Sequence, residues 1–276
     1  MKTLTLFILF ASMSTSLLAL NPSRTYSQRP EKFNMAYTEH KVRTSDGEAE
    51  LNAWYFPALK KTTQLVLIAH NGEGNMGDYL RRVDAFLAMG FNVVTFDYRG
   101  FGESSEFEID NNMYIYPHFQ DDVSSMIDYC RTQFTPSFEL YGWGMGAGLS
   151  LGIGYTRPEI KSIIADTPFL SMEDLEERFS SWDEPMEVPF AGYDRRYEPL
   201  FAKDNAPMPD FKGVLLILGS SDLLFKEADL ETLRSGYKKN TTCELFLVEN
   251  PDRLDNFTAG KTEYTGQVAK FLNPRK

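Results

Sequence analysis

The sequence predicts an α/β protein whose mostly parallel sheet carries helices on both faces and an antiparallel N-terminal hairpin at one edge. Three observations predict it. Short apolar runs such as "QLVLIAH" and "GVLLILG" are continuous rather than alternating, as strands buried on both faces require. Segments of helical periodicity lie between these runs. The order run, helix, run repeats along the chain, and parallel strands need such crossovers.

Taken in order, the elements begin after an apolar leader. Lys2 precedes "LTLFILFASMSTSLLAL", which ends in small residues around Ala19 and reads as a secretory signal peptide over residues 1–20. An uncleaved anchor is the alternative, but the run is slightly short for a span and contains Ser and Thr. Residues 21–36 are polar and irregular and read as a tether. A single domain follows over 37–276. "TEHKVRTSDGEAELNAWYF" is a pair of strand-like runs about Ser45-Asp46-Gly47, a hairpin signal. "QLVLIAH" is a strand, 77–89 a helix, "FNVVTFD" a strand, 118–133 a helix and "FELYGW" a strand. A small-residue helix follows, then strand "IKSIIAD". "GVLLILG" and "CELFLVE" are strands separated by a helix at 226–239, and a helix at 261–272 closes the chain. Residues 170–210 break the alternation with "ERFSSWDEPMEVPFAGYDRRYEP", placed as a lid is placed on such a sheet.

Bulk properties exclude several roles. The net charge is −11 and the basic residues form no stripe, which argues against nucleic acid and against anionic lipid. Contact with a membrane is expected only through an uncleaved leader. Two cysteines, Cys130 and Cys243, are not a disulfide framework, and the sequence leaves open whether they pair. "NTT" at Asn240 and "NFT" at Asn256 are glycosylation acceptors only in a glycosylating source. The three histidines, His40, His70 and His118, show no metal-ligand spacing, so no metal is expected. "GEGNMG" at 72–77 lacks the Lys-Ser/Thr ending of a phosphate loop and fits no dinucleotide fingerprint, so no cofactor is expected either.

In an open α/β sheet, chemistry collects at the carboxyl ends of the strands. There the sequence places "HNGEGN" at 70–75, "DYRGFGESS" at 97–105, "GWGMGAG" at 142–148, "ADTPFLSMEDL" at 165–175, "GSSDLL" at 219–224 and "VENPDRLDNF" at 248–257. The set resembles the α/β-hydrolase superfamily, especially its Bem46-like serine hydrolases, from about Val42 to the C-terminus. That resemblance implies an α/β-hydrolase fold with an eight-stranded sheet and a short lid. It implies an oxyanion-type loop at Gly72, completed by the N–H of Met145. It also implies a nucleophile at 144, an acid at 222 and a base near 253. "DYRGFGESS" is the most specific match.

The match fails at the chemistry. The elbow needs a Ser whose Oγ stands on a strained turn, and here the residue is Gly144. Asp222 occupies the acid's place, but Arg253 stands where the His should be, and no His follows His118. Without Ser there is no covalent step. Without His there is no general base to activate water instead. His70 is expected to pack beneath the oxyanion loop, His118 to sit on the surface or cap its helix, Asp97 to organise the loop after its strand, and Asp166 and Asp222 to hydrogen-bond loop amides. The sequence thus predicts an exported, periplasmic or extracellular α/β-hydrolase-fold pseudoenzyme. Its partner would be a protein, such as one within an envelope assembly, or a small apolar ligand. The alternative is an active esterase or peptidase using a non-standard constellation. A non-hydrolytic enzyme on this fold would need a cofactor motif that the chain lacks.

Overall fold

The computed structural model of the chain describes residues 20–182, 186–189, 191–204, 210–237, 241–250 and 255–273. The leader expected over 1–20, all but its last residue, lies outside the described residues, as do Asn240 and Arg253.

Each central strand feeds two cores. In β4 (Leu65–Ala69), Leu65, Leu67 and Ala69 enter one core while Val66 and Ile68 enter the other. β9 (Gly213–Gly219) divides in the same way, with Val214, Leu216 and Leu218 on one face and Leu215 and Ile217 on the opposite face. This is why these runs are continuously apolar. A strand's side chains alternate between faces, and here neither face meets water. Each large side chain buried this way contributes about 1.5–3 kcal/mol.

The remaining strands are β1 (Asn21–Pro22), β2 (Thr38–Arg43), β3 (Glu50–Phe56), β5 (Glu73–Gly74), β6 (Asn92–Phe96), β7 (Phe138–Trp143), β8 (Ile160–Asp166) and β10 (Thr242–Val248). Among the described residues, eight of these ten strands form one sheet in the order β10-β9-β8-β7-β4-β6-β3-β2. It is parallel except for β2 and β3, whose pairings with each other and with β6 are antiparallel. The helices α1 (Leu80–Ala88) and α8 (Lys261–Leu272) supply one core. α2 (His118–Gln133), α3 (Met145–Gly154) and α6 (Glu227–Gly236) supply the other. Cys130, in α2, and Cys243, in β10, are both free.

The lid segment contains α4 (Met172–Phe179), a 3₁₀ turn at Arg195–Tyr197 and α5 (Pro199–Ala202). α7 (Asn256–Ala259) precedes α8. The helix expected over 77–89 is a 3₁₀ turn at Met76–Tyr79 running into α1. The tether expected over 21–36 is docked on the domain: β1 pairs in parallel with β5 as a second, two-stranded sheet, and Leu20 is 1% exposed.

Candidate functional site

A single residue separates the end of β7 from the start of α3, and that residue is Gly144. Its φ is 56° and its ψ −122°. L side chains rarely occupy this region, and sheets that carry a nucleophile strain the chain in just such a strand-to-helix turn. The turn is pinned on both sides. Gly144 N–H donates to Asp166 O at 2.8 Å, and the N–H groups of Ala147 and Gly148 donate to Gly144 O at 3.0 and 3.2 Å. The sequence therefore builds the elbow's backbone and leaves out its reactive atom. A Cβ on residue 144 would stand 3.1 Å from Asn71 Cβ.

The groups that would cradle an oxyanion are close by but mostly engaged. Met145 heads α3, and its N–H has no acceptor among the described residues, as the first turn of a helix leaves it. Gly72 N–H donates to His70 Nδ1 at 3.2 Å. Asn71 N–H donates to Tyr79 Oη at 2.9 Å, and Tyr79 returns a bond to Asn71 Oδ1. Leu20 closes the loop from above, since a Cβ on Gly72 would lie 2.6 Å from Leu20 Cδ2 and 3.3 Å from Met145 Cε.

None of the three histidines is placed to serve as a base. His70 is buried between the rings of Tyr79, Tyr98 and Phe101, and burial pushes its pKa down to about 3. Its Nε2 stands 4.0 Å from Asp97 Oδ1, which is no ion pair while the ring is neutral. His70 thus sits beneath the oxyanion loop, as expected. His40 bonds Tyr129 and Thr38 on β2, four strands from β7 and so roughly 19 Å across the sheet. His118 is exposed at the start of α2, with its ring 5.0 Å from that of Phe107.

The carboxylates are committed to structure. Asp222 Oδ1 accepts from the N–H groups of Leu224 and Phe225 at 2.9 and 2.8 Å, closing its own loop. Asp97 takes Met76 N–H on Oδ1 at 2.7 Å and the Tyr26 hydroxyl on Oδ2, and burial pushes its pKa up to about 7. The rest of the "DYRGFGESS" string is scaffolding too. Arg99 is buried against Asp122 at 2.7 Å and Asp46 at 2.9 Å, tying the hairpin turn to α2. Ser104 Oγ donates to Asp97 O at 2.6 Å and accepts from Asn52 N–H at 2.8 Å.

Beside the elbow the structure assembles a polar chain that the sequence reading did not join. Asp166 Oδ1 accepts from Asn256 Nδ2 at 2.7 Å, and Oδ2 accepts from Tyr264 Oη at 2.8 Å. The Tyr264 and Tyr141 hydroxyls are 3.0 Å apart. Arg82 Nε donates to Tyr141 Oη at 2.9 Å, and Arg82 pairs with Asp255. Thr167, next to Asp166, has φ 55°, a genuine outlier for a β-branched residue, and is held by Thr167 N–H donating to Ile217 O at 2.8 Å. Asn256 also heads the sequon "NFT". The side chain is buried and its amide is used, so the site is closed to a glycan while the protein is folded. No spacing rule links Arg82, Tyr141, Asp166, Asn256 and Tyr264; their one signal is that each sits on or beside a strand end or a flanking helix. A cavity of about 450 Å³ opens between this network and β1, lined by Asn21, Ser23, Asn71, Tyr79, Arg82 and Trp143 among others.

Comparison with known proteins agrees with the architecture. Residues 60–186 match the family described as serine aminopeptidase, S33. The protein YfhR of Escherichia coli O157:H7 is 26% identical over 249 residues, covering 84% of this chain and 81% of YfhR. YqkD of Bacillus subtilis is 25% identical over 239 residues, covering 79% of this chain and 74% of YqkD. Both are described as uncharacterized. The structure of the Pyrococcus furiosus esterase Pf2001 superposes with a TM-score of 0.70 at 19% identity, over 91% of this chain and 98% of that one. The chain has the α/β-hydrolase fold, and the part of it over residues 60–186 resembles a serine-hydrolase family.

Proposed function

We propose that this protein is an exported α/β-hydrolase-fold binding protein without hydrolytic turnover, which holds a protein partner or an apolar ligand at its former catalytic face. One observation carries the reading: Gly144 has the backbone of a nucleophile elbow and no side chain. The rest is consistent with it. The chain has three His, none after His118, and the buried His70 is neutral. Asp222 bonds its own loop, and Ser150 in α3 is buried with no partner for its Oγ among the described residues, so none of them is a base that activates it. A residual rate from oriented amides alone would be small.

The second reading, an esterase or peptidase with a non-standard constellation, draws on the serine-aminopeptidase likeness of residues 60–186. Fluorophosphonate labelling and p-nitrophenyl ester hydrolysis separate the two. The purified protein is expected to take no label and to match the buffer rate, and stoichiometric labelling of one serine would establish the second reading. Mass spectrometry of the native protein is expected to show a chain beginning near residue 20, and an intact cytosolic Met1 form would refute export.

A further inference from the structure

We propose that the edge at Glu73–Gly74 is a docking site for an extended peptide, that Leu20–Tyr26 is its resident occupant, and that the cleft beside Gly144 opens when this strap is released. The proposal deepens the binding reading above by naming a peptide as the ligand class. Its test does not use activity, so the two can fail separately.

The strap is bound as a peptide ligand is bound. Asn21 N–H donates to Gly72 O at 2.9 Å and Ser23 N–H donates to Gly74 O at 2.8 Å, so the segment adds as a strand to a loop edge. Pro22, between them, has no N–H to offer on its outer side, which blocks a further strand. Ser23 O accepts from Gly102 N–H at 3.0 Å and from Asn75 Nδ2 at 3.2 Å, and Thr25 O accepts from the same Asn75 amide at 3.0 Å. Tyr26 ends the segment with its hydroxyl on Asp97, accepting from Asn52 Nδ2 at 3.1 Å and its ring 4.7 Å from that of Trp54.

The domain is also shaped to receive it. At two glycines the space of the missing side chain is taken first by the N-terminal segment: a Cβ would meet Leu20 Cδ2 at 2.6 Å on Gly72 and the Gln28 carbonyl oxygen at 2.5 Å on Gly77. At Gly102 the Asp97 carboxylate takes that space first, with Tyr26 Oη next at 2.6 Å. Loop positions without side chains thus lie along the path of the segment from Leu20 to Gln28. Leu20 is the anchor: it is 1% exposed and, like the Met145 side chain, borders the space a Cβ on Gly72 would take. It lies at the expected cleavage point, so the strap requires a mature chain that begins at Leu20, and a mature chain beginning at Asn21 would overturn the proposal. What the site reads is therefore an apolar residue, an extended segment with every second N–H free to donate, and a tyrosine six residues after the anchor.

The strap is held by main-chain bonds, the Leu20 and Tyr26 side chains and an Arg24 Nη1 bond to Phe101 O at 3.2 Å, and Asn21, Arg24, Thr25 and Ser27 along it are exposed. Such a segment can leave without unfolding the sheet. While tethered it competes with any free peptide at an effective concentration of up to millimolar order.

The probe is a fluorescein-labelled peptide of residues 20–29, LNPSRTYSQR, tested by fluorescence polarisation against the full chain and against its Leu20→Asp/Tyr26→Ala variant. The variant buries an unpaired charge in the Leu20 seat and removes the Asp97 contact, so its own strap should disengage. Its affinity for the peptide is expected to exceed that of the wild type by on the order of tenfold or more, as removal of an internal competitor requires. A peptide carrying Leu20→Asp should bind neither protein. A variant that melts cooperatively yet gains no binding overturns the proposal, as does equal binding of the Leu20→Asp peptide. Should the variant not fold, hydrogen exchange on the wild type decides. Faster exchange at the Asn21 and Ser23 amides than at Leu140 of β7 supports a releasable strap, and exchange of all three at one global rate refutes it.

Discussion

At the scale of the residue, Gly144 separates backbone from chemistry. The turn at φ 56° and ψ −122° exists without a side chain to make use of it, so its geometry is imposed by the strand, the helix and the bond to Asp166. A serine there would have to adopt a conformation that costs on the order of 1–3 kcal/mol, and Asn71 would have to give by a few tenths of an ångström to clear the 3.1 Å contact. Both demands are small beside the stability of a typical domain. Gly144→Ser is therefore expected to fold, to melt a few degrees lower, and to remain inert toward p-nitrophenyl esters because no imidazole can take its proton. Thermal unfolding followed by an ester assay checks this. Loss of the cooperative transition would mean that the elbow does not tolerate a side chain, and measurable turnover would mean that a base has been overlooked.

At the scale of the element, α3 shows which glycines serve packing and what each one packs against. The helix approaches the strands closely at Gly142 and Gly146: a Cβ on Gly142 would lie 2.2 Å from Gly146 O, and one on Gly146 would lie 2.3 Å from Ala69 O. Gly148 faces Phe169 instead, at 2.1 Å, and Gly152 faces the Tyr197 carbonyl at 1.6 Å, so one helix seats both the sheet and the lid segment. Gly152→Ala is expected to destabilise by at least about 1–3 kcal/mol, since backbone cannot yield as a side-chain tip can. Gly266→Ala in α8, where a Cβ meets nothing within 4 Å, is expected to stabilise by about 0.4–1 kcal/mol. Urea denaturation of both variants tests the contrast, and the same sign for both would refute it. The sheet and its helices were legible because burial on two faces writes continuous apolar runs, and the turn at 144 because glycines mark it. The docked segment was not legible. Its bonds are main-chain bonds, which leave no residue pattern, and a single leucine at the end of an apolar leader gives no sign that it is an anchor. The Asp166 network was hidden for a related reason, since Arg82, Tyr141, Asn256 and Tyr264 are far apart in sequence and meet only when α1, α7 and α8 have packed on the same face of the sheet.

At the scale of the whole molecule, buried ionisable groups set how stability changes with pH. Asp97 and Asp166 are buried carboxylates whose pKa values are pushed up to about 7 and about 6, above the unfolded value of 3.8, because burial disfavours their charge more than their donors favour it. Between 3.8 and those values the native state holds protons that the unfolded chain has released, so both groups make stability fall as pH rises. His70 acts in the opposite sense. Its pKa of about 3 lies below the unfolded 6.5, so stability grows as pH rises through that interval and then stops changing. Below pH 6.5 the terms therefore oppose one another. Just above it the raised carboxylates still release protons, Asp97 near pH 7 and Asp122 and Asp166 near 6, against a protein already carrying a net charge of −11. The melting temperature is accordingly expected to drop as pH is raised from about 6 to about 8. Asp97→Asn keeps an acceptor for Met76 N–H and removes the titration, so it should flatten that slope even where it lowers the melting temperature itself. Calorimetric scans of both proteins at several pH values across this window measure the two slopes. Parallel slopes for wild type and variant would show that Asp97 is already ionised at the lower pH, and that the Tyr26 and Met76 donors outweigh its burial.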